Sequence, residues 1–325
     1  MRRLMEPLRC WPAGRQPTAP SRADIEAAAT LIGGRVRRTP VVDLEYAPGC
    51  TATLKLELLQ HTGSFKPRGA FTSVLSAPST PERLVAASGG NHGLAVAHVG
   101  RVTGIRTDVF VPRSAPAVKV AGIRARGAEV HLVGATYAEA REASSAFAAD
   151  QGAFVVSAYD SAPTVTGQGT LGREIEEQAP DADTILVAVG GGGLMGGVAA
   201  WWADRASIVA VEPHGCPTLY AAMQAGEPVT VQVGGLASDS LGASRIGAIG
   251  FEAARRAGAV AVLVPPGDIV AARELLWREL RVAAEPGGAA ALAALLSGAY
   301  VPREGERVVV IVCGGNADPS DLPLG

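Results

Sequence analysis

Lysine is almost missing from this chain. Of 29 basic residues only Lys55, Lys66 and Lys119 are lysines, and the other 26 are arginines. No apolar run approaches the about 18 residues of a membrane span, so none is expected. Charge of one sign is nowhere concentrated. With 29 basic and 31 acidic residues the net charge is −2, which argues against nucleic acid or an anionic membrane as partner. Cys10, Cys50, Cys216 and Cys313 lack paired spacing, so neither a disulfide framework nor a zinc site is expected, and a reducing cytoplasm fits. The histidines have no metal-ligand spacing, and no metal is expected. Residues 1–20 are rich in Arg and Pro and lack an apolar signal core, and they read as a poorly ordered extension. With no repeats and no low-complexity linker, a second lobe must be an insertion within the first.

What is present is alternation. At 325 residues the chain reaches the size where one core divides into two lobes. Residues 53–57 alternate like a strand, and the stretches 84–87, 107–111, 128–133, 153–156, 184–189, 207–211, 260–264 and 307–312 read as strands. Helical patterns lie between them, beginning with a capping box at Ser21 and Asp24 and a helix ending at Gly33-Gly34. Continuous apolar strands alternating with helices indicate an α/β fold of mostly parallel sheet covered on both faces.

The scarcity of lysine isolates Lys66. It stands in Gly63-Ser64-Phe65-Lys66-Pro67-Arg68-Gly69-Ala70, just before a helical run to about Ser76. Arginine cannot replace lysine where an amine must lose its proton and attack a carbonyl, so Lys66 is the candidate Schiff-base residue. Three polar or glycine-rich loops follow strands, where ligands gather on parallel sheets. Ser88-Gly89-Gly90-Asn91-His92-Gly93 suits a carboxylate, with Asn91 as donor or acceptor. Gly190-Gly191-Gly192-Gly193-Leu194 suits a phosphate monoester. Gly191, Gly193 and Gly196 also match a dinucleotide fingerprint, with Glu212 downstream. Cys313-Gly314-Gly315-Asn316 places a neutral thiol where a heteroaromatic nitrogen could face it. An amine, a phosphate cradle, a ring-nitrogen partner and a carboxylate clamp are together the needs of pyridoxal 5′-phosphate. A dinucleotide has no use for Lys66.

The Lys66 segment resembles the cofactor-lysine signature of the serine/threonine dehydratases, pyridoxal-phosphate enzymes of fold type II, the tryptophan-synthase β-subunit fold. The asparagine loop, Gly167-Gln168-Gly169-Thr170, Gly190 to Gly193, Val211-Glu212-Pro213, Glu285-Pro286-Gly287-Gly288-Ala289 and Cys313 to Asn316 resemble later blocks in the same order. The resemblance implies that Lys66 carries the cofactor, Phe65 packs beside its ring and Asn91 bonds the ring hydroxyl. It implies that Gly190, Gly191, Gly192, Gly193 and Leu194 hold the phosphate and that Cys313 faces the ring nitrogen. Ser64, Ser88, Gly89, Asn91 and His92 then lie around the substrate. The implied lobes are 21–76 with 158–325, and an inserted 77–157. The implied reaction removes water and then ammonia from L-threonine, L-serine or a related β-hydroxy amino acid, leaving a 2-oxo acid. The partner is then a small amino acid, and a homodimer is expected.

Two positions depart from the family. Related serine racemases resemble this loop but have a serine where Gly89 stands, which favours elimination over racemisation. Racemase-like members pair two acids spaced Glu-x₅-Asp around a divalent cation, and here Thr218 follows Glu212. Ser238-Asp239-Ser240-Leu241-Gly242 also differs from the Ala-Asp-Gly of threonine dehydratases, which leaves the substrate side chain open. Rival readings are a dehydratase of phenylserine or a hydroxyaspartate (with Arg245 as a candidate partner), a racemase, and a non-catalytic cofactor binder. Little sequence follows Asn316, so no isoleucine-sensing domain is expected.

Overall fold

The computed structural model describes residues 18–115, 117–318 and 320. Most of the expected N-terminal extension, residues 1–17 with Cys10, lies outside the described residues. In chain order the strands are β1 (Val41–Ala47), β2 (Cys50–Lys55), β3 (Arg83–Ala87), β4 (Arg106–Val111) and β5 (Glu129–Leu132). They continue with β6 (Phe154–Val155), β7 (Thr184–Ala188), β8 (Ser207–Pro213), β9 (Val260–Val264) and β10 (Val308–Ile311).

Two sheets result. A six-stranded sheet has the order β1-β2-β10-β7-β8-β9, and a four-stranded sheet has the order β5-β4-β3-β6. All pairings are parallel except β1 with β2, which meet antiparallel with Val41 opposite Lys55. The sequence reading did not anticipate β1. Its signal is a short alternation, with Leu44 buried between exposed Asp43 and Glu45, closed by Pro48 and by Gly49 at φ 73°. That is a half-buried edge strand rather than an apolar run. The same turn starts β2 earlier than expected, and β2 ends at Lys55 because Glu57 turns inward to Arg68. The helix at the start of the described chain has a complete capping box, with Asp24 N donating to Ser21 Oγ and Ser21 N to Asp24 Oδ2.

Helices cover both sheets, and glycine sets how closely three of them meet. A Cβ on Gly167 of helix Ala162–Gln178 would fall 2.7 Å from Gly69 Cα of helix Lys66–Leu75. A Cβ on Gly197 of helix Gly193–Trp202 would fall 2.4 Å from Gly169 N. Side chains at these places would force the helices apart. Lys66 therefore begins one helix and the Gly190–Gly193 loop begins another, both locked to a common third. No helix among the described residues is long and apolar enough to cross a membrane.

Candidate active site

Lys66 is held from both sides. Before it, Thr62 (φ 64°) and Gly63 (φ 76°) turn the chain through the left-handed region. After it, Pro67 sits in the first helical turn, where a missing N–H costs nothing. Ser64 bridges to Gly314, and Phe65 N donates to Cys313 O at 3.2 Å, which pins the segment to the end of β10. Lys66 Nζ donates to Ala158 O at 2.8 Å. Burial lowers the Lys66 pKa to about 8, against the opposing pull of Cys313 and Glu285. A substantial fraction of the amine is then neutral and nucleophilic near that pH.

The glycine cradle leaves β7 and enters helix Gly193–Trp202. Gly192 has φ 84° and no side chain caps the helix, so its first N–H groups face outward. Added side chains would not fit. A Cβ on Gly191 would lie 2.3 Å from Tyr159 Cγ, one on Gly190 2.9 Å from Leu241 Cα, and one on Gly193 2.8 Å from Tyr159 O. Backbone donors at a helix start with no side chains in the way suit a phosphate. The cavity beside them is lined by Phe65, Lys66, Tyr159, Gly190 to Leu194, Ser240, Leu241 and Cys313.

The Cys313 thiol donates to Gly287 O at 3.5 Å. Burial, and then the Glu285 charge, push its pKa up to about 12, so it is a neutral thiol. Asn91 opens helix Asn91–Thr103; its Nδ2 donates to Glu285 Oε1 at 2.6 Å and its Oδ1 accepts from Asn316 Nδ2 at 2.7 Å. Ser88 Oγ accepts from Gly90 N at 3.2 Å. The Ser64 hydroxyl is buried with no hydrogen-bond partner among the described residues. A Cβ on Gly89 would meet only Ala115 Cβ at 3.5 Å and Val111 Cγ1 at 3.6 Å, so packing does not require glycine there. The His92 ring turns inward to Val156 O at 2.9 Å, and burial, then the Lys66 charge, push its pKa down to about 3. What His92 can offer a ligand is its backbone N–H.

Glu212 is not available to a ribose. It is fully buried, and its carboxylate accepts from Leu219 N at 2.7 Å and Tyr220 N at 2.8 Å. Thr218 Oγ1 lies 3.0 Å from the same carboxylate and 2.7 Å from Gly190 O, tying this cap to the cradle. Arg245 is exposed and does not line the cavity.

Sequence reasoning gave no role to Tyr159, Glu285 or Asn316. Glu285 and Asn316 stand in the quoted blocks, but their partner Asn91 is 194 and 225 residues away. Tyr159 carries no local signal, since only packing shows that it fills the floor beneath Gly191 and Gly193.

The donors fit pyridoxal phosphate: a side-chain-free anion cradle, an amine of lowered pKa and a neutral thiol around one cavity. These features suit an α/β protein that binds an aldehyde-bearing phosphate ester beside a lysine. Residues 32–314 match the pyridoxal-phosphate dependent enzymes. The chain is 35% identical over 315 residues to phenylserine dehydratase of Ralstonia pickettii, covering 93% of this chain and 94% of that protein. It is 33% identical over 303 residues to L-threonine ammonia-lyase of Thermotoga maritima, covering 91% and 75%. Its structure matches maize serine racemase with a TM-score of 0.88 at 32% identity, covering 93% and 95%. The chain belongs to the family of pyridoxal-phosphate dependent enzymes, and its parallel sheets flanked by helices are those of fold type II.

Proposed function

We propose that this chain is a dehydratase that converts L-threonine, L-serine or a related β-hydroxy amino acid to a 2-oxo acid and ammonia. The observation that carries this reading is that Lys66, the glycine cradle and the Cys313 thiol line one cavity. Pyridoxal phosphate bound there supplies an electron-withdrawing ring that makes the substrate Cα–H bond breakable. Lys66 Nζ would hold the cofactor and would be the group that accepts the substrate Cα proton and gives a proton to the departing β-hydroxyl. Backbone N–H groups of Gly190 to Leu194 hold the phosphate. Phe65 would pack beside the ring and Asn91 would donate to the ring oxygen. Ser64, Ser88, Gly89, Asn91 and the His92 N–H surround the substrate carboxylate.

Cys313 shapes the outcome. A carboxylate facing the ring nitrogen would keep it protonated, and a weak neutral thiol does not. The shallower sink favours prompt elimination. Phenylserine stays a substrate candidate because its dehydratase matches over 94% of its length. Residues 77–157, which carry the four-stranded sheet, form the smaller lobe in this reading, and the protein works as a cytoplasmic homodimer. The test is 2-oxo acid release from L-threonine, L-serine and phenylserine by cofactor-loaded protein. Release that disappears in Lys66→Ala supports the reading. Release that survives in Lys66→Ala, or wild-type protein that takes up no pyridoxal phosphate, overturns it.

A further inference from the structure

The Asn91 amide is gripped at both ends. Asn316 Nδ2 gives its hydrogens to Asn91 Oδ1 and Thr62 O, each at 2.7 Å. Asn316 therefore admits only the oxygen end of Asn91. An ionised carboxylate only accepts, so Glu285, 2.6 Å away, admits only the NH₂ end. Both constraints select one orientation, which leaves Asn91 one uncommitted N–H.

The grip is built rigidly. A Cβ on Gly63 would lie 2.5 Å from Asn316 Oδ1, so only glycine there lets the amide in. Glu285 is 5% exposed, its N donates to Gly314 O at 3.1 Å, and its carboxylate lies where a Gly314 side chain would be. We infer that Glu285 and Asn316 are positioning residues, a two-sided clamp that aims the remaining Asn91 N–H at the oxygen on the cofactor ring. The inference rests on the proposed function, in which Asn91 faces that oxygen. Glu285 is also faced by Lys66, Cys313, Asp239 and Lys119, and burial pushes its pKa up to about 7. Below that pH the protonated acid can donate as well as accept, so the clamp loosens.

The experiment is a double-mutant cycle on the dissociation constant of pyridoxal phosphate, with melting of the cofactor-free proteins as a folding control. Glu285→Leu and Asn316→Ala should each weaken binding about tenfold. Glu285→Gln keeps an acceptor and should stay within about threefold. In an Asn91→Ala background neither Glu285→Leu nor Asn316→Ala should cause further loss. Equal losses with and without Asn91, or wild-type affinity in both single variants, overturn the clamp. If Glu285→Leu does not fold, the Asn316→Ala arm of the cycle decides alone. Wild-type protein that binds no pyridoxal phosphate overturns the functional reading itself; wild-type binding with no coupling overturns only the clamp.

Discussion

The Arg68 guanidinium, two residues beyond Lys66, meets Glu57 through two hydrogen bonds of 2.6 and 3.0 Å in the closed interior. It also reaches Glu174 at 2.9 Å, and Glu174 in turn accepts from Lys55 Nζ at 2.6 Å. Two cations and two anions thus neutralise one another behind Lys66. Burial penalises the Arg68 charge, yet Glu57 and Glu174 leave its pKa raised. Breaking a buried pair leaves an uncompensated charge. Arg68→Met should cost about 3 to 5 kcal/mol of stability in the cofactor-free protein, measured by urea unfolding. Arg68→Lys keeps the charge but cannot form the fork, and should fall between wild type and Arg68→Met. A Met variant as stable as wild type would remove the electrostatic account of this network.

The cradle allows a sharper contrast. A Cβ on Gly191 collides with the Tyr159 ring, whereas one on Gly193 collides with Tyr159 O at 2.8 Å and Cα at 3.0 Å. Both Gly191→Ala and Gly193→Ala should destabilise the cofactor-loaded protein by about 1 to 3 kcal/mol through overpacking, read as a lower melting temperature. Adding Tyr159→Ala should restore Gly191→Ala, because the obstacle is side chain. It should leave Gly193→Ala impaired, because the obstacle is backbone. Equal rescue of both would contradict this packing.

Much of this was legible in the chain itself, for identifiable reasons. Lys66 stood out because lysine is scarce, and the cradle because four glycines follow an apolar run. Gly167 and Gly169 could be quoted but not explained until the helices carrying Gly69 and Gly197 met them. Asn316 and Glu285 acquire meaning only through Asn91, and no periodicity reports a contact across some 200 residues. His92 shows the same limit within one loop. A six-residue motif does not say which side chain turns into the core, and this one does.

His92 also sets an acid limit. Its pKa falls to about 3 in the fold from an ordinary value of 6.5. Near pH 7 both folded and unfolded forms are neutral, and the group contributes no pH dependence. Below 6.5 the unfolded chain takes up a proton that the folded one refuses, so stability is lost as pH falls toward 3. The loss should reach about 2 kcal/mol by pH 5. Glu285 and Glu212, both raised to about 7 chiefly by burial, act in the opposite sense between 4.5 and 7. Comparing wild type with His92→Gln at pH 7 and pH 5 therefore isolates the histidine. The variant, which can still donate to Val156 O, should lose about 2 kcal/mol less than wild type. Parallel pH profiles would contradict the assignment.

Packing does not require glycine at position 89. Its φ lies outside the left-handed region, and a Cβ would make only ordinary contacts with Ala115 and Val111. Gly191 and Gly193 have no such freedom. Glycine at 89 therefore supplies no hydroxyl at a position whose backbone would accept one, and in the proposed function Lys66 is the group that moves the Cα proton. Gly89→Ser should change stability by less than about 0.5 kcal/mol and should leave cofactor uptake intact. If a second acid–base group is what separates elimination from racemisation here, the variant should form D-serine from L-serine with solvent deuterium at Cα, at the expense of 2-oxo acid. Wild type should form none. A folded, cofactor-loaded Gly89→Ser protein that still yields only 2-oxo acid would show that the choice is made elsewhere, with Cys313 and its neutral thiol the next position to change.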